Sequence, residues 1–320
     1  MTTWRRAGAL LISVALVVGL AACSDDPAAE EPGAASTTTT APAPSGPVPE
    51  CDPVASYAPE GPRPAPGQMP AGSTMREIQE RGRLIVAVSG DLPLFGSLNP
   101  ATNQLEGFDI DMAKAVARAI FGEDGRVTYK VVSFAQRIPD LQARTVDMVA
   151  DIMTMNCARW ELINFSTEYF TAGQQILVGA DSDVTTIDDL AGRKACAADR
   201  STSADLLAED EYREIEAVIV GNVSDCMVEF QSGTVDAIVG DNTVLEGFAD
   251  QDPYARVVGD ALTTEPYGLG FNREDVDLTR FVNSVLEEMR QDGEWAEIYA
   301  RWLPPPVPAP PPAVYGRALP

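Results

Sequence analysis

The sequence predicts an α/β protein made of two similar lobes that face each other. Three observations carry this. First, short apolar runs such as Leu84-Ile-Val-Ala-Val88 and Lys194-Ala-Cys-Ala-Ala198 alternate with stretches that are apolar at helical spacing, such as Ile110, Ala113, Val116 and Ala117. That alternation is the pattern of buried strands joined by helices. Second, Leu141-Gln142-Ala-Arg-Thr145-Val146-Asp147 is echoed by Phe230-Gln231-Ser-Gly-Thr234-Val235-Asp236 at a constant offset of 89. Each reads as a helix end, a turn and a buried strand; chance repetition of a common αβ connection is the competing explanation. Third, the strand after each Asp runs into a polar loop, at Thr154 in the first half and Asp241 in the second.

The ends of the chain have a different composition. Residues 1–23 read as an export signal. Arg5 and Arg6 precede the uncharged apolar run Ala7–Leu20, which ends Leu20-Ala21-Ala22-Cys23. Small residues before a Cys resemble a lipobox, with Cys23 acylated after cleavage. Residues 24–70 are rich in Ala, Pro, Thr and Ser, cannot bury a core, and read as a disordered tether whose second half, from Cys51, could lie along the domain. Residues 304–320 read as a Pro-rich tail, extended rather than packed.

Composition excludes several classes of function. The formal net charge is −25, which repels nucleic acid and anionic lipid and requires any small anion to find a locally positive pocket. The chain has no His, which removes most zinc sites and the Ser-His and Cys-His dyads. No metal and no cofactor are expected. Besides Cys23, the cysteines Cys51, Cys157, Cys196 and Cys226 form an even set in an oxidising compartment. They allow three pairings. Cys51–Cys157 with Cys196–Cys226 is preferred, because Cys196 and Cys226 share one short segment and Cys51 would pin the N-terminal extension beside the site.

Taken in order, Ser73-Thr-Met-Arg-Glu77 has capping-box character and opens a helix to Gly82. Leu84–Val88 is a buried strand, and Ser89–Pro93 a loop at its carboxyl end, where open α/β sheets bind ligands. Gly107-Phe-Asp-Ile-Asp111 opens a helix to about Ile120. A strand at 127–132 leads to Phe134, exposed at its end, and residues 137–142 form a helix. Residues 175–178 are a strand, 187–192 a short helix with a Gly stop, and Lys194–Ala198 a strand. Arg200-Ser-Thr-Ser203 then starts a helix. Residues 217–220 and 237–240 are strands around a helix at 224–231. Residues 257–262 lead back, and Pro266–Phe271 re-enters the first lobe. Two helices follow, 278–292 and 294–302.

The stretch Asp151–Phe170 organises the rest. It leaves a buried strand, turns polar at Thr154, and reaches a short helix capped by Asn156, with Arg159 one turn in. A free carboxylate there would meet a guanidinium, a hydroxyl and backbone amides. Ser201 and Thr202 repeat a hydroxyl-rich helix start at a strand end.

Taken together these elements resemble the extracytoplasmic solute-binding proteins for polar amino acids, in particular actinobacterial glutamine/glutamate-binding lipoproteins of ABC importers. The resemblance rests on Gly107-Phe-Asp-Ile-Asp111, Arg137-Ile-Pro-Asp-Leu-Gln142, Thr154-Met-Asn-Cys-Ala-Arg159, Phe165-Ser-Thr-Glu-Tyr-Phe170, Ser201-Thr202-Ser203, Val235-Asp-Ala237, Pro266-Tyr-Gly268 and Phe281-Val-Asn283. It implies a two-lobed periplasmic-binding-protein fold of type II, with two hinge strands and the ligand in the interlobe cleft. Lobe 1 would span 71–177 and 264–303, and lobe 2 would span 178–263. It implies Arg159 and Thr154 on the ligand α-carboxylate, reached from lobe 2 by the Thr202 amide beside Ser201. Asp241 would take the α-ammonium, and Phe134 would cover the side chain. Arg137 could pair with a side-chain carboxylate or be a surface Arg. The chain departs from the family at Asn156, where a second Thr is common, at Arg200, where Gly is usual, and at Leu92, where an aromatic is common. The expected molecule is a monomeric, lipid-anchored receptor on the outer face of the cell membrane, for glutamate, glutamine, aspartate or asparagine, delivering to an ABC permease. A sensor signalling to a membrane partner that controls a kinase would have the same site. A dehydratase using Asp241 or Glu168 as proton donor is the enzymatic alternative.

Overall fold

The computed structural model describes residues 51–320; the expected signal, Cys23 and the first part of the tether lie outside them. Two five-stranded sheets carry the fold. The first runs Val127–Val131, Leu84–Val88, Met148–Val149, Gly270–Asn272, Ile163–Phe165. Its first three strands are parallel and the last two antiparallel to their neighbours. The second runs Glu216–Val220, Lys194–Ala198, Ala237–Asp241, Gln174–Gly179, Ala255–Val258, with the same succession of parallel and antiparallel pairs. Helices cover both sheets and close apolar cores around fully buried residues such as Val86, Ile110 and Phe271 in one and Ala195, Ala237 and Val239 in the other.

The internal echo is structural down to single hydrogen bonds. The Asp147 N–H donates to Ile85 O, and its carboxyl accepts from the Ile85 N–H at 2.8 Å. The Asp236 N–H donates to Lys194 O, and its carboxyl accepts from the Lys194 N–H at 2.8 Å. The turn before each is left-handed, at Arg144 (φ +54) and Gly233 (φ +73). A short Asp side chain at the start of each central strand thus fixes the register against its neighbour.

Between the sheets, Phe170–Ala172 and Glu265–Tyr267 pair antiparallel as two crossing strands. Residues 89–93, read as a ligand loop, instead open a three-stranded meander, Asp91–Leu92, Gly96–Asn99 and Gln104–Glu106. The helix Asn242–Ala249 also escaped the sequence reading, because no cap residue other than the site residue Asp241 announces it.

The terminal segments differ from expectation. Residues 51–70 are ordered and pack on the first lobe, the course allowed for the stretch from Cys51, and are not part of a disordered tether. Ser56 donates to Phe165 O at 2.7 Å, and Tyr57 and Met69 are buried. The disulfide Cys51–Cys157 fastens this strap to the site loop, and Cys196–Cys226 ties a central strand to its covering helix. The Pro-rich tail is extended and also packed. Tyr315 bridges to Ser56, Pro311 O accepts from Arg290 Nε at 2.8 Å, and the Arg317 guanidinium lies 3.5 Å over the Trp160 ring. A Pro-rich chain has little conformational freedom to lose and offers unpaired carbonyls, so it docks well as an acceptor strand.

Candidate functional site

The site forms where the loops after the two central strands meet. Phe134, Arg137, Ile152, Thr154 and Arg159 from the first lobe and Ser201, Thr202 and Asp241 from the second line one interlobe cavity, with Ala198, Val223, Val239 and Val244 as its apolar wall. All seven residues singled out in the sequence for ligand contact are therefore brought together.

In the first lobe, the chain leaves Met148–Val149 and passes through Ile152, whose φ is +39. A β-branched residue in the left-handed region costs about 1–2 kcal/mol. The peptide that enters it is held at both ends. The Asp151 carbonyl accepts from Arg137 Nη1 at 2.8 Å, and the Ile152 N–H donates to Asp109 Oδ2 at 2.9 Å. Asn156 then caps the helix Cys157–Trp160 by accepting from the Arg159 N–H at 2.8 Å. Arg159 is buried. Its Nη1 donates to Thr154 O at 2.8 Å and its Nη2 reaches Arg200 O of the second lobe at 3.1 Å. Arg200 has φ +58, the conformation that explains why Gly suits this position.

Arg137 is buried, not on the surface, and its guanidinium stacks 4.0 Å over the Phe134 ring. Its Nε donates to Phe134 O. In the second lobe the Ser201 hydroxyl serves its own helix, accepting from the Ala204 N–H at 3.0 Å and donating to Ala198 O at 2.7 Å. Ser201 thus holds the helix start in place, and Thr202 presents its side chain to the cleft. Asp241 ends the strand Ala237–Asp241 and accepts from the Tyr267 hydroxyl at 2.5 Å.

Sequence reasoning missed Glu265. It is buried on a crossing strand, and donors converge on it from both lobes and both crossings: Thr154 Oγ1 at 2.6 Å, Thr202 Oγ1 at 2.9 Å, Thr263 Oγ1 at 2.6 Å and Gln174 Nε2 at 3.1 Å. The only local signal was an acidic residue directly before Pro266-Tyr-Gly268. Its four partners are scattered along the chain, so no spacing reveals them. Asp109 and Tyr267 were visible only as parts of quoted motifs.

Burial governs the charges. It pushes the Asp241 carboxyl up to about 7, helped by nearby Glu265 and opposed by the Tyr267 hydroxyl. Burial likewise raises Asp109 to about 7 and Asp151 to about 6, the latter opposed by Arg137. Burial, then the neighbouring Arg137, lowers Arg159 to about 10. Two cations and several carboxyls thus share a water-poor space, an arrangement suited to a small zwitterion. Among the described residues, no cluster of His, Cys, Asp or Glu is placed to hold a metal ion.

Residues 84–305 match the bacterial extracellular solute-binding proteins, family 3. The chain belongs to this family. As a family 3 protein it is a solute-binding receptor and not an enzyme, which sets aside the dehydratase alternative. The ABC transporter glutamine-binding protein GlnH of Bacillus subtilis (strain 168) is 33% identical over 231 residues, covering 72% of this chain and 84% of the relative. The glutamate-binding protein GluB of Corynebacterium efficiens is 31% identical over 241 residues, covering 72% and 81%. The crystal structure of a mutant of ArgBP from T. maritima superposes with a TM-score of 0.66 at 31% identity, covering 71% of this chain and 98% of that one. Among the described residues, no helix of this family 3 receptor is long and apolar enough to cross a membrane.

Proposed function

We propose that the protein is a lipid-anchored extracytoplasmic receptor that binds a polar amino acid, glutamate or glutamine first and aspartate or asparagine second, and delivers it to an ABC permease. The observation that carries this reading is the pairing of Arg159 and Asp241, opposite charges facing one cavity from different lobes. Arg159 receives the α-carboxylate beside Thr154, with the Thr202 backbone N–H reaching it from the second lobe, and Asp241 receives the α-ammonium. Arg137 has no hydrogen bond from Nη2 among the described residues and turns toward the ligand's side-chain acyl oxygen, which glutamate and glutamine share. The relatives named for glutamine and glutamate support this order of ligands, and the ABC-transporter name of the glutamine-binding relative supports import over sensing.

The test is a thermal-shift screen of the protein against all twenty amino acids, followed by calorimetry on the hits. A ligand at 100 times its Kd adds about 2.7 kcal/mol of stability. Shifts confined to glutamate, aspartate and their amides are expected; none with any amino acid would sink the reading. Arg159→Ala should weaken binding about 100-fold or more, since it removes charge-assisted bonds worth roughly 1.5–3 kcal/mol each.

A further inference from the structure

The left-handed Ile152 is an expensive feature in the wall of the cleft, and neither ligand recognition nor core packing by itself accounts for it. Residues with a branched β-carbon are genuine outliers at positive φ and persist only where their surroundings over-determine them. What over-determines this one is the peptide group between Asp151 and Ile152. We propose that Asp109, acting with Arg137, is a positioning residue for the ligand cleft, the two gripping the Asp151–Ile152 peptide from opposite sides and holding the cleft wall in its left-handed conformation.

The grip is chemically matched at both ends. The carbonyl oxygen receives the Arg137 guanidinium at 2.8 Å and the amide hydrogen meets the Asp109 carboxyl at 2.9 Å. Rotating this peptide plane would change the φ of Ile152 and break both bonds. Both side chains are buried, so water cannot easily replace either partner. Asp109 is itself aimed. Its other oxygen accepts from the Tyr169 hydroxyl at 2.6 Å, and it sits in the first turn of the helix Phe108–Phe121. The start of that helix is anchored as well, the Phe108 N–H donating to Leu94 O at 2.8 Å and the Asp109 N–H to Phe95 O at 3.0 Å. Ile152 lines the cavity two residues before Thr154. A peptide flip there would move the Thr154 hydroxyl and the Arg159 anchor carbonyl together. Arg137 thereby has a second task beside facing the ligand.

The inference rests on the cleft being the ligand site, and its test separates the two claims. Calorimetry with the amino acid that binds the wild type is run on Asp109→Ala, Ile152→Gly and the double variant, alongside amide hydrogen exchange at Ile152. Asp109→Ala removes the acceptor of the Ile152 N–H; it should weaken binding about tenfold and speed Ile152 exchange about tenfold. Adding Ile152→Gly should restore affinity to within about threefold, because Gly adopts positive φ without a clamp. A side chain that merely stabilises the core would not be rescued this way. Unchanged affinity and exchange in Asp109→Ala, or a loss that Ile152→Gly does not restore, would overturn the proposal. If Asp109→Ala does not fold, Tyr169→Phe removes the bond that aims Asp109 and should weaken binding about threefold; no change would count against the clamp. If the wild type binds no amino acid, the ligand reading fails, and the exchange at Ile152 alone decides for or against the clamp.

Discussion

Asp241 combines two demands that pull its chemistry in opposite directions. To meet an ammonium it must be ionised, yet burial lifts its carboxyl from 3.8 to about 7. Asp109 and Asp151 are lifted in the same sense. A carboxyl whose folded pKa lies above its unfolded value binds more protons in the folded state. Stability is therefore greatest below about 4 with respect to these groups and falls as pH rises toward about 7. Without amino acid, the melting temperature should be higher at pH 5 than at pH 8. A bound ammonium compensates the ionised Asp241, so the ligand-induced shift should grow over the same interval. Asp241→Asn should flatten the pH dependence and remove the growth of the ligand shift; an unchanged slope would show that Asp241 does not titrate there. At this scale the sequence was informative where a residue carries its own signal. Asn156 as a cap and Arg159 one turn later were legible, whereas the buried carboxyl of Glu265 was not, because only its partners define it.

At the scale of elements, local rules placed most of the strands and helices. Ser73 accepts from the Arg76 N–H and Gly82 ends the helix in the left-handed conformation, as their residue types require. Leu84–Val88, Lys194–Ala198 and Glu294–Trp302 fall on the expected residues. The three-stranded meander after Leu84–Val88 was missed because its strands are only two to four residues long and mixed in character. Its role is to seat the helix Phe108–Phe121 through Gly107. Gly107→Ala would force a Cβ against the Phe95 carbonyl at a φ that L-residues avoid. We expect a loss of about 2–4 kcal/mol in chemical denaturation, while Gly125→Ala, which meets nothing within 4 Å, should stay within about 0.5 kcal/mol of wild type.

At the scale of the whole molecule, the lobes are joined by more than their crossing strands. Glu265 accepts from Thr154 of one lobe and Thr202 of the other, Arg159 reaches Arg200 O, and the Ser224 hydroxyl donates to Asp91. Ligand-dependent closure requires that the closed form gain from groups on both sides, and Glu265 supplies part of that gain from within the protein. Glu265→Ala leaves buried Thr and Gln donors without an acceptor, at a cost of at least about 2 kcal/mol. It should lower the melting temperature and enlarge the radius of gyration in small-angle scattering without ligand. An unchanged radius would mean that the other interlobe bonds suffice. The strap at residues 51–70 and the tail at residues 304–320 belong to this scale as well. Both lie on the first lobe beside Trp160, and Cys51–Cys157 ties the strap to the start of the helix that carries Arg159.

The sequence by itself determined the α/β alternation, the echo of two lobes, the helix caps and the cationic and anionic residues of the cleft. All of these depend on residue type, on periodicity or on neighbours a few positions away. Tertiary structure decided the rest. It placed Glu265 between Thr154 and Thr202, gave Ile152 its left-handed backbone between Asp109 and Arg137, and laid a proline-rich tail against the first lobe. Each depends on groups tens to hundreds of residues apart, and the free energy of burying a polar group is set by which partners arrive and not by the residue's place in the chain.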